Sequence, residues 1–337
     1  MAVVVSDLTL APSGATDLEL ELDAQRPRLV GFCYRMLGSS FEAEDAAQET
    51  MLRAWRGYDG FDRRSSLSTW VHRIATNVCL DMLKGRQRRA TPMDLGPARE
   101  PVAANLHTRH ELTWIEPISD AALAPDPADV AVNRDTVRLA FIAALQHLPP
   151  RQRAALLLCD VLRWQASEVA ELLSTTVASV NSALQRARAT LAASGAAADT
   201  QRETVDPGNA ALLRRYVDAF QRYDLTALTG VIHEDAVQSM PPYDMWIAGR
   251  DDIFTWWYGP GIGCRGSRLI PAGTANGSPA FGQYKPSAAG DGYEPWALQV
   301  VETEGDWVTQ MTFFLDTARF FPKFGLPPRL GPEASAA

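Results

Sequence analysis

The sequence predicts a multidomain chain in which two all-α blocks precede an α+β domain. Three observations predict it. Apolar residues recur every three or four positions from Arg28 to Ala193, a proline-rich stretch splits that helical half, and alternating apolar strands run from Ser267 to Phe314. With 337 residues and 46 % hydrophobic composition the chain can fill about two or three packed cores.

Some function classes are excluded at once. No apolar run approaches the ~18 residues of a membrane span, and Met1-Ala2-Val3-Val4-Val5 leads into acids rather than a secretion signal. A cytoplasmic protein with no membrane contact is expected. Cys33, Cys79, Cys159 and Cys264 lie far apart without Cys-x-x-Cys or Cys/His spacing, so the sequence predicts free thiols and neither metal nor cofactor.

The elements follow in order. Residues 1–22 read as a loose acidic leader. The first helical domain, 23–90, opens with a helix from Arg28 whose Leu29, Phe32, Cys33, Met36 and Leu37 face inward, and a turn at Gly38-Ser39-Ser40 follows. Ala43, Ala46, Ala47, Thr50, Met51, Ala54 and Trp55 mark the inward stripe of a second helix, and a third runs from Ser68 to Gly85. Six prolines between 90 and 127 make 91–127 a linker, with a short element around Leu112 to Ile115. The second helical domain, 128–194, has a helix from Ala128 that Pro149-Pro150 ends, then helices at Arg151–Leu162, Ser167–Leu173 and Ser179–Ala193. The last two, joined at Ser174-Thr175-Thr176, form a helix-turn-helix with Val180, Leu184, Ala187 and Leu191 inward. An Ala/Gly-rich linker covers 195–207. The α+β domain, 208–330, begins with a helix at Asn209–Tyr223, a short strand at Ala236–Met240 and a helix at Arg250–Tyr258. Strands then follow at Ser267–Ala275, Ser278–Lys285, Glu294–Glu302 and Asp306–Phe314.

Charge is unevenly distributed in a chain of net charge -8: residues 61–89 carry 7 basic and 2 acidic side chains. That is a phosphate-facing footprint in an acidic protein. On the second helix Glu44, Asp45, Gln48 and Glu49 share a face opposite Ala47, Met51 and Trp55. On the third, Trp70, Arg73, Asn77 and Asp81 form one stripe that runs into Lys84, Arg86, Arg88 and Arg89. Aromatic rings and amides suit the exposed faces and edges of melted bases, and the arginines suit phosphate. In the helix-turn-helix, Ser179, Asn181, Ser182, Gln185 and Arg186 stand at the start of the second helix, the part that enters a major groove.

The order of these blocks resembles a sigma factor of the extracytoplasmic-function group, built from sigma region 2 and region 4. The resemblance implies that Asp45, Gln48 and Glu49 dock on the clamp helices of the largest polymerase subunit, and that the second-largest subunit is also a partner. It implies that Phe61 and Asn77 border a pocket for a base flipped from the minus-10 promoter element. Trp70, Arg73, Lys84, Arg86, Arg88 and Arg89 then contact the same DNA, and Arg188 joins the minus-35 readers. Asn181 and Ala183 stand where a basic residue is usual, which weakens the expected hold on that element. Gln165 replaces the usual Ser or Thr cap at a cost of about 1 kcal/mol.

The remaining domain resembles the SnoaL-like branch of the nuclear transport factor 2 superfamily, a cone with an open pocket, through Ser239-Met240-Pro241-Pro242-Tyr243 and Phe313-Phe314-Leu315-Asp316. His233, Asp235, Tyr243, Asp244 and Asp316 are acid-base candidates, but no spacing forces a catalytic pair, and His233-Glu234-Asp235 is expected to close a helix. No catalytic residue is assigned. The resemblance implies that this domain packs on regions 2 and 4 and tunes them in cis. The competing reading is a one-component regulator whose cone senses a small ligand or retains hydrolase or isomerase activity.

Overall fold

The computed structural model describes residues 13–123, 138–193 and 207–332. Residues 128–137 of the helix expected from Ala128 to the Pro149-Pro150 stop, and most of the 195–207 linker, fall outside the described residues.

Three helices build the first domain: α1 (Ser13–Leu37), α2 (Ser40–Gly57) and α3 (Leu67–Met82). Ser39 and Ser66 cap α2 and α3 by accepting from the backbone N–H three residues on, which fixes where each helix starts. Inward faces of Leu29, Phe32, Met36, Ala43, Ala47, Val71 and Ala75 are fully or almost fully buried against one another. Helix α1 starts at Ser13, well inside the expected leader, because Leu22 packs into the same core despite the alternating acids around it. Propensity along that stretch is weak, and tertiary burial decides.

The second domain comprises α4 (Leu139–Gln146), α5 (Pro150–Leu156) with a π-turn through Val161, α6 (Ala166–Leu172) and α7 (Val177–Ala193). Pro149 and Pro150 stop α4 and start α5, as a missing N–H permits at a first turn. The Glu168 carboxylate accepts from the Gln165 N–H at 2.8 Å, so the poor cap is partly compensated. Thr176 Oγ1 accepts from the Ser179 N–H at 3.1 Å at the start of α7.

The third domain holds α8 (Pro207–Arg222), α9 (Leu225–Thr229), α10 (Arg250–Tyr258), α11 (Thr317–Lys323) and a six-stranded sheet of order β2-β1-β6-β5-β4-β3. The strands are β1 (Ile232–Ser239), β2 (Trp246–Ala248), β3 (Arg268–Ala275), β4 (Ser278–Pro286), β5 (Tyr293–Glu304) and β6 (Trp307–Phe314). Only β1 and β6 pair in parallel; register shifts in four of the five pairings bend the sheet. His233, Glu234 and Asp235 lie within β1 and do not close a helix, since the turn comes earlier, at Gly230. Neither β2 nor α11 was anticipated.

Strand β5 is buried on both faces. Ala297 and Val301 point to a core under α8 and α10, whereas Leu298 and Val300 join Phe314, Phe320 and Phe321 in a core that is continuous with both helical domains. The expected linker 91–127 is, in its described part, a strap with short turns at Pro92–Leu95, Ala103–Asn105 and Asp120–Ala122 and buried Ile115 and Ile118.

Candidate nucleic-acid and polymerase interface

Helix α2 presents Asp45 and Gln48 to solvent, and Glu49 is held by Arg53 at 2.7 Å on the same helix. Two residues assigned or left out by periodicity change this surface. Trp55, expected inward, is 56 % exposed, and Leu52 is 42 % exposed; both continue the Asp45–Gln48 stripe. A tryptophan between two arginines in Arg53-Ala54-Trp55-Arg56 was the available signal. The stripe therefore combines a carboxylate, an amide and two apolar anchors, the composition of an interface centre with a polar margin.

On α3 and the turn before it, Phe61 stacks on Trp70 with centroids 4.8 Å apart, and Tyr58 meets the Trp70 edge at 6.4 Å. Asn77 is exposed, two turns further along the same stripe. The basic run is engaged within the molecule. Lys84 pairs with Asp81 at 2.6 Å, Arg86 with Glu42 at 2.6 Å, and Arg88 donates to His147, which pairs with Asp94 at 2.7 Å. Arg89 departs from the phosphate-contact expectation. Its side chain is 11 % exposed, 3.0 Å from Glu42, and donates to the Trp114 carbonyl at 2.7 Å, so it serves as an internal brace. No local pattern distinguishes it from Arg88; only the folded strap does.

The helix-turn-helix is the opposite case. Ser179, Asn181, Ser182, Gln185 and Arg186 are all exposed on α7, while Val180, Leu184, Ala187 and Leu191 are buried beneath them. Arg188 differs, being held by both oxygens of Asp160 at 2.9 and 2.6 Å. That pair ties its guanidinium to the turn after α5, and raises its pKa through the Asp160 hydrogen bond.

Regions that should read separate DNA elements touch. Arg73 of α3 pairs with Glu171 of α6 at 3.2 Å. Arg153 of α5, 2 % exposed, donates to the Met36 carbonyl in α1 and to Gln146 Oε1 at 2.7 Å. Burial lowers its pKa to about 10, so it remains charged at neutral pH. The C-terminal domain completes the arrangement. Buried Glu116 in the strap accepts from Ser39 Oγ and is met by Arg319 at 3.0 Å; its carbonyl accepts from Tyr34 Oη at 2.8 Å. Asn276 donates to that same Tyr34 Oη at 2.7 Å, and Lys323 pairs with Glu44 at 2.6 Å. Intramolecular contact between the C-terminal domain and the helical regions is thus direct.

Comparison with known proteins agrees with this division. Family models of sigma-70 region 2 and sigma-70 region 4 match residues 22–89 and 138–191. The ECF RNA polymerase sigma factor SigG of Mycobacterium tuberculosis is 46 % identical over 323 residues, covering 93 % of this chain and 85 % of that protein. The chain belongs to the ECF sigma factor family. SigW of Bacillus subtilis is 29 % identical over 171 residues, covering 50 % of this chain and 84 % of that protein. The crystal structure of SigJ from M. tuberculosis shares the whole fold, with a TM-score of 0.59 at 21 % identity over 92 % of this chain and 99 % of that one. Like its family, this sigma factor directs RNA polymerase to promoters at transcription initiation, with core polymerase and promoter DNA as its partners. No helix among the described residues is long and apolar enough to cross a membrane.

Proposed function

We propose that this sigma factor is held by its own C-terminal domain in a state that cannot occupy both promoter elements, and that polymerase and promoter binding must open it. The reading rests above all on the Arg73–Glu171 pair at 3.2 Å. A helix that contacts the minus-10 element and a helix of the minus-35 reader cannot lie against each other while each sits on its own stretch of DNA. The strap around Glu116 reinforces closure, because Arg319 and Ser39 come from different domains and both need that one carboxylate.

In this reading Asp45, Gln48, Glu49, Leu52 and Trp55 dock on polymerase, with clamp helices of the largest subunit as the contact the family resemblance implies. The Lys323–Glu44 pair is made by the residue next to Asp45, so the C-terminal domain borders the docking stripe and leaves Gln48, Leu52 and Trp55 uncovered. Phe61 and Trp70 must part before a flipped base can enter beside Asn77, since they now stack on each other. Arg73, Lys84, Arg86 and Arg88 reach DNA phosphate by exchanging their internal carboxylate and histidine partners. Ser179, Asn181, Ser182, Gln185 and Arg186 read the upstream element, and Arg188 supports them once released from Asp160.

In this reading the protein needs no catalysis of its own. Asp244 is 3.3 Å from Arg99 and 3.0 Å from Arg109, Asp316 stands near Arg319 at 3.7 Å, and His233 and Asp235 sit on an exposed part of β1. Asp244 also lies 3.9 Å from His107, and Asp235 lies 3.9 Å from His233.

Run-off transcription with core polymerase tests the proposal in the full-length chain. Arg319→Ala combined with Lys323→Glu should raise promoter-dependent transcript several-fold by loosening the C-terminal clamp. Unchanged output, with intact folding by circular dichroism, would show that the clamp does not limit activity.

A further inference from the structure

The inner face of the bent sheet and helices α8 and α10 enclose a cavity of about 310 Å³, large enough for a small ligand. Its walls are aromatic: Phe220, Tyr223, Trp256, Trp257, Trp296 and Phe313 all line it. Most of the polar groups around it are already consumed. Tyr216 donates to Gln299 at 3.1 Å, Gln299 to Gln283 at 2.9 Å, Gln283 to Ser267 at 3.1 Å, and Ser267 to the Cys264 carbonyl at 2.6 Å. This chain of bonds holds the floor rigid and offers little to a ligand.

Gln238 and Lys285 are among the donors left over. Gln238, 1 % exposed, accepts from the Trp257 indole N–H at 2.7 Å. An indole only donates, so the amide orientation is fixed and the NH2 of Gln238 is the end that remains for the cavity. Lys285 places its ammonium 3.6 Å from the centre of the Trp296 ring and makes no ion pair among the described residues. Its cross-strand neighbour Glu294 accepts from Ser287 at 3.1 Å instead. A cation packed on an aromatic wall with no carboxylate bonded to it among the described residues is a place for an anion.

The roof comes from outside the domain. Ala103 and Leu106 of the strap between regions 2 and 4 cover the cavity. That stretch is fastened by Arg99 and Arg109 to the buried Asp244, and by the Trp246 indole donating to the Gly96 carbonyl at 2.9 Å. A ligand in the cavity therefore touches the same segment that ties the promoter-reading regions together.

We propose that this cavity binds a small planar aromatic acid, with its ring between the tryptophans, its carboxylate on Lys285 and the Gln238 amide, and Leu106 closing over it. A neutral molecule of the same shape would leave Lys285 without an anion in a partly desolvated site. The assignment needs neither polymerase nor promoter, so it stands or falls apart from the transcription reading.

The probes are 1-naphthoate and its neutral counterpart 1-naphthalenemethanol, titrated into the full-length protein with tryptophan fluorescence and calorimetry as readouts. Saturable quenching by 1-naphthoate is expected, with at least tenfold tighter binding than the alcohol. Lys285→Met should remove that preference while leaving alcohol binding within about twofold, Leu106→Trp should block both probes, and naphthoate should slow amide exchange at residues 102–109. No saturable binding, or equal affinity for acid and alcohol in the unmodified protein, overturns the proposed ligand class. Naphthoate binding that survives Leu106→Trp without altering exchange in the strap overturns the location.

Discussion

The two DNA-reading surfaces are exposed to very different degrees. On α7 the candidate readers Ser179, Asn181, Ser182, Gln185 and Arg186 face solvent above a buried apolar stripe, whereas the basic run after α3 is tied to Glu42, Asp81, Asp94, His147 and Glu116. The difference teaches where restraint is applied. In the proposed reading the minus-35 reader is presented ready, and the minus-10 reader must exchange internal carboxylates for phosphate, at little net electrostatic gain in the closed state.

The largest effect should come from breaking the joint between the two regions. Arg153→Ala removes a buried cation that donates to Met36, Gln146 and Leu148 carbonyl or amide oxygens. Leaving those acceptors unpaired should lower stability by about 3 kcal/mol, measured by urea unfolding. A loss near zero would mean that the joint is already open in solution.

Base-reading substitutions sharpen the contrast between surfaces. Arg186→Ala should cost about tenfold in promoter affinity, only through the upstream element, and Asn77→Ala should abolish discrimination at one minus-10 base. Filter binding to promoters altered at each position checks both. Lys84→Ala should weaken all sequences alike by a few-fold and shallow the salt dependence, since it can meet phosphate once it leaves Asp81. Arg89→Ala should instead lower thermal stability and leave the salt slope of DNA binding unchanged, because its partners are Glu42 and the Trp114 carbonyl.

On the polymerase side, Asp45→Lys with Glu49→Lys should reduce co-purification with core enzyme several-fold without unfolding the chain. Trp55→Ala should have a similar effect, as a 56 % exposed tryptophan contributes little to the fold. If Trp55→Ala unfolds the protein and leaves polymerase binding intact, the extended stripe is misassigned.

The smallest effect is a pH dependence confined to region 2. His72 donates from Nδ1 to the Ser68 carbonyl at 2.7 Å, packs edge-on with Phe32, and has no partner for Nε2. Burial lowers its pKa below the ordinary 6.5. The unfolded chain therefore binds the proton more readily than the native one, so stability should fall as pH drops below about 6.5 and be unaffected above it. A His72→Gln variant should lose this acid-sensitive component in thermal melts at pH 5 to 7.

Most of what periodicity can carry was readable. The stripes of α3 and α7, the cap position at Gln165, the helix at Arg250–Tyr258 and four strands of the sheet lie close to where the sequence puts them, because local sequence and burial agree there. Failures arise where a partner is distant in sequence. The proline-rich segment reads as a loose linker because nothing within it explains order. Its order comes from Tyr34, Ser39, Asn276 and Arg319, of which Arg319 lies 203 positions from the Glu116 it meets. Trp55 and Arg89 exchange their expected exposures for the same reason: which apolar side chain finds a neighbour, and which arginine finds a buried carboxylate, depends on how domains dock.

By itself, the sequence determined the kind of protein: two helical regions whose residue order marks a sigma factor, an exposed recognition helix, and an appended α+β domain. Only the tertiary structure decided that these parts form one closed body in which Arg73 meets Glu171 and the strap roofs an aromatic cavity. Helical and strand periods record which side of an element is apolar, and they carry no information about which carboxylate, carbonyl or ring from another domain will be brought against it.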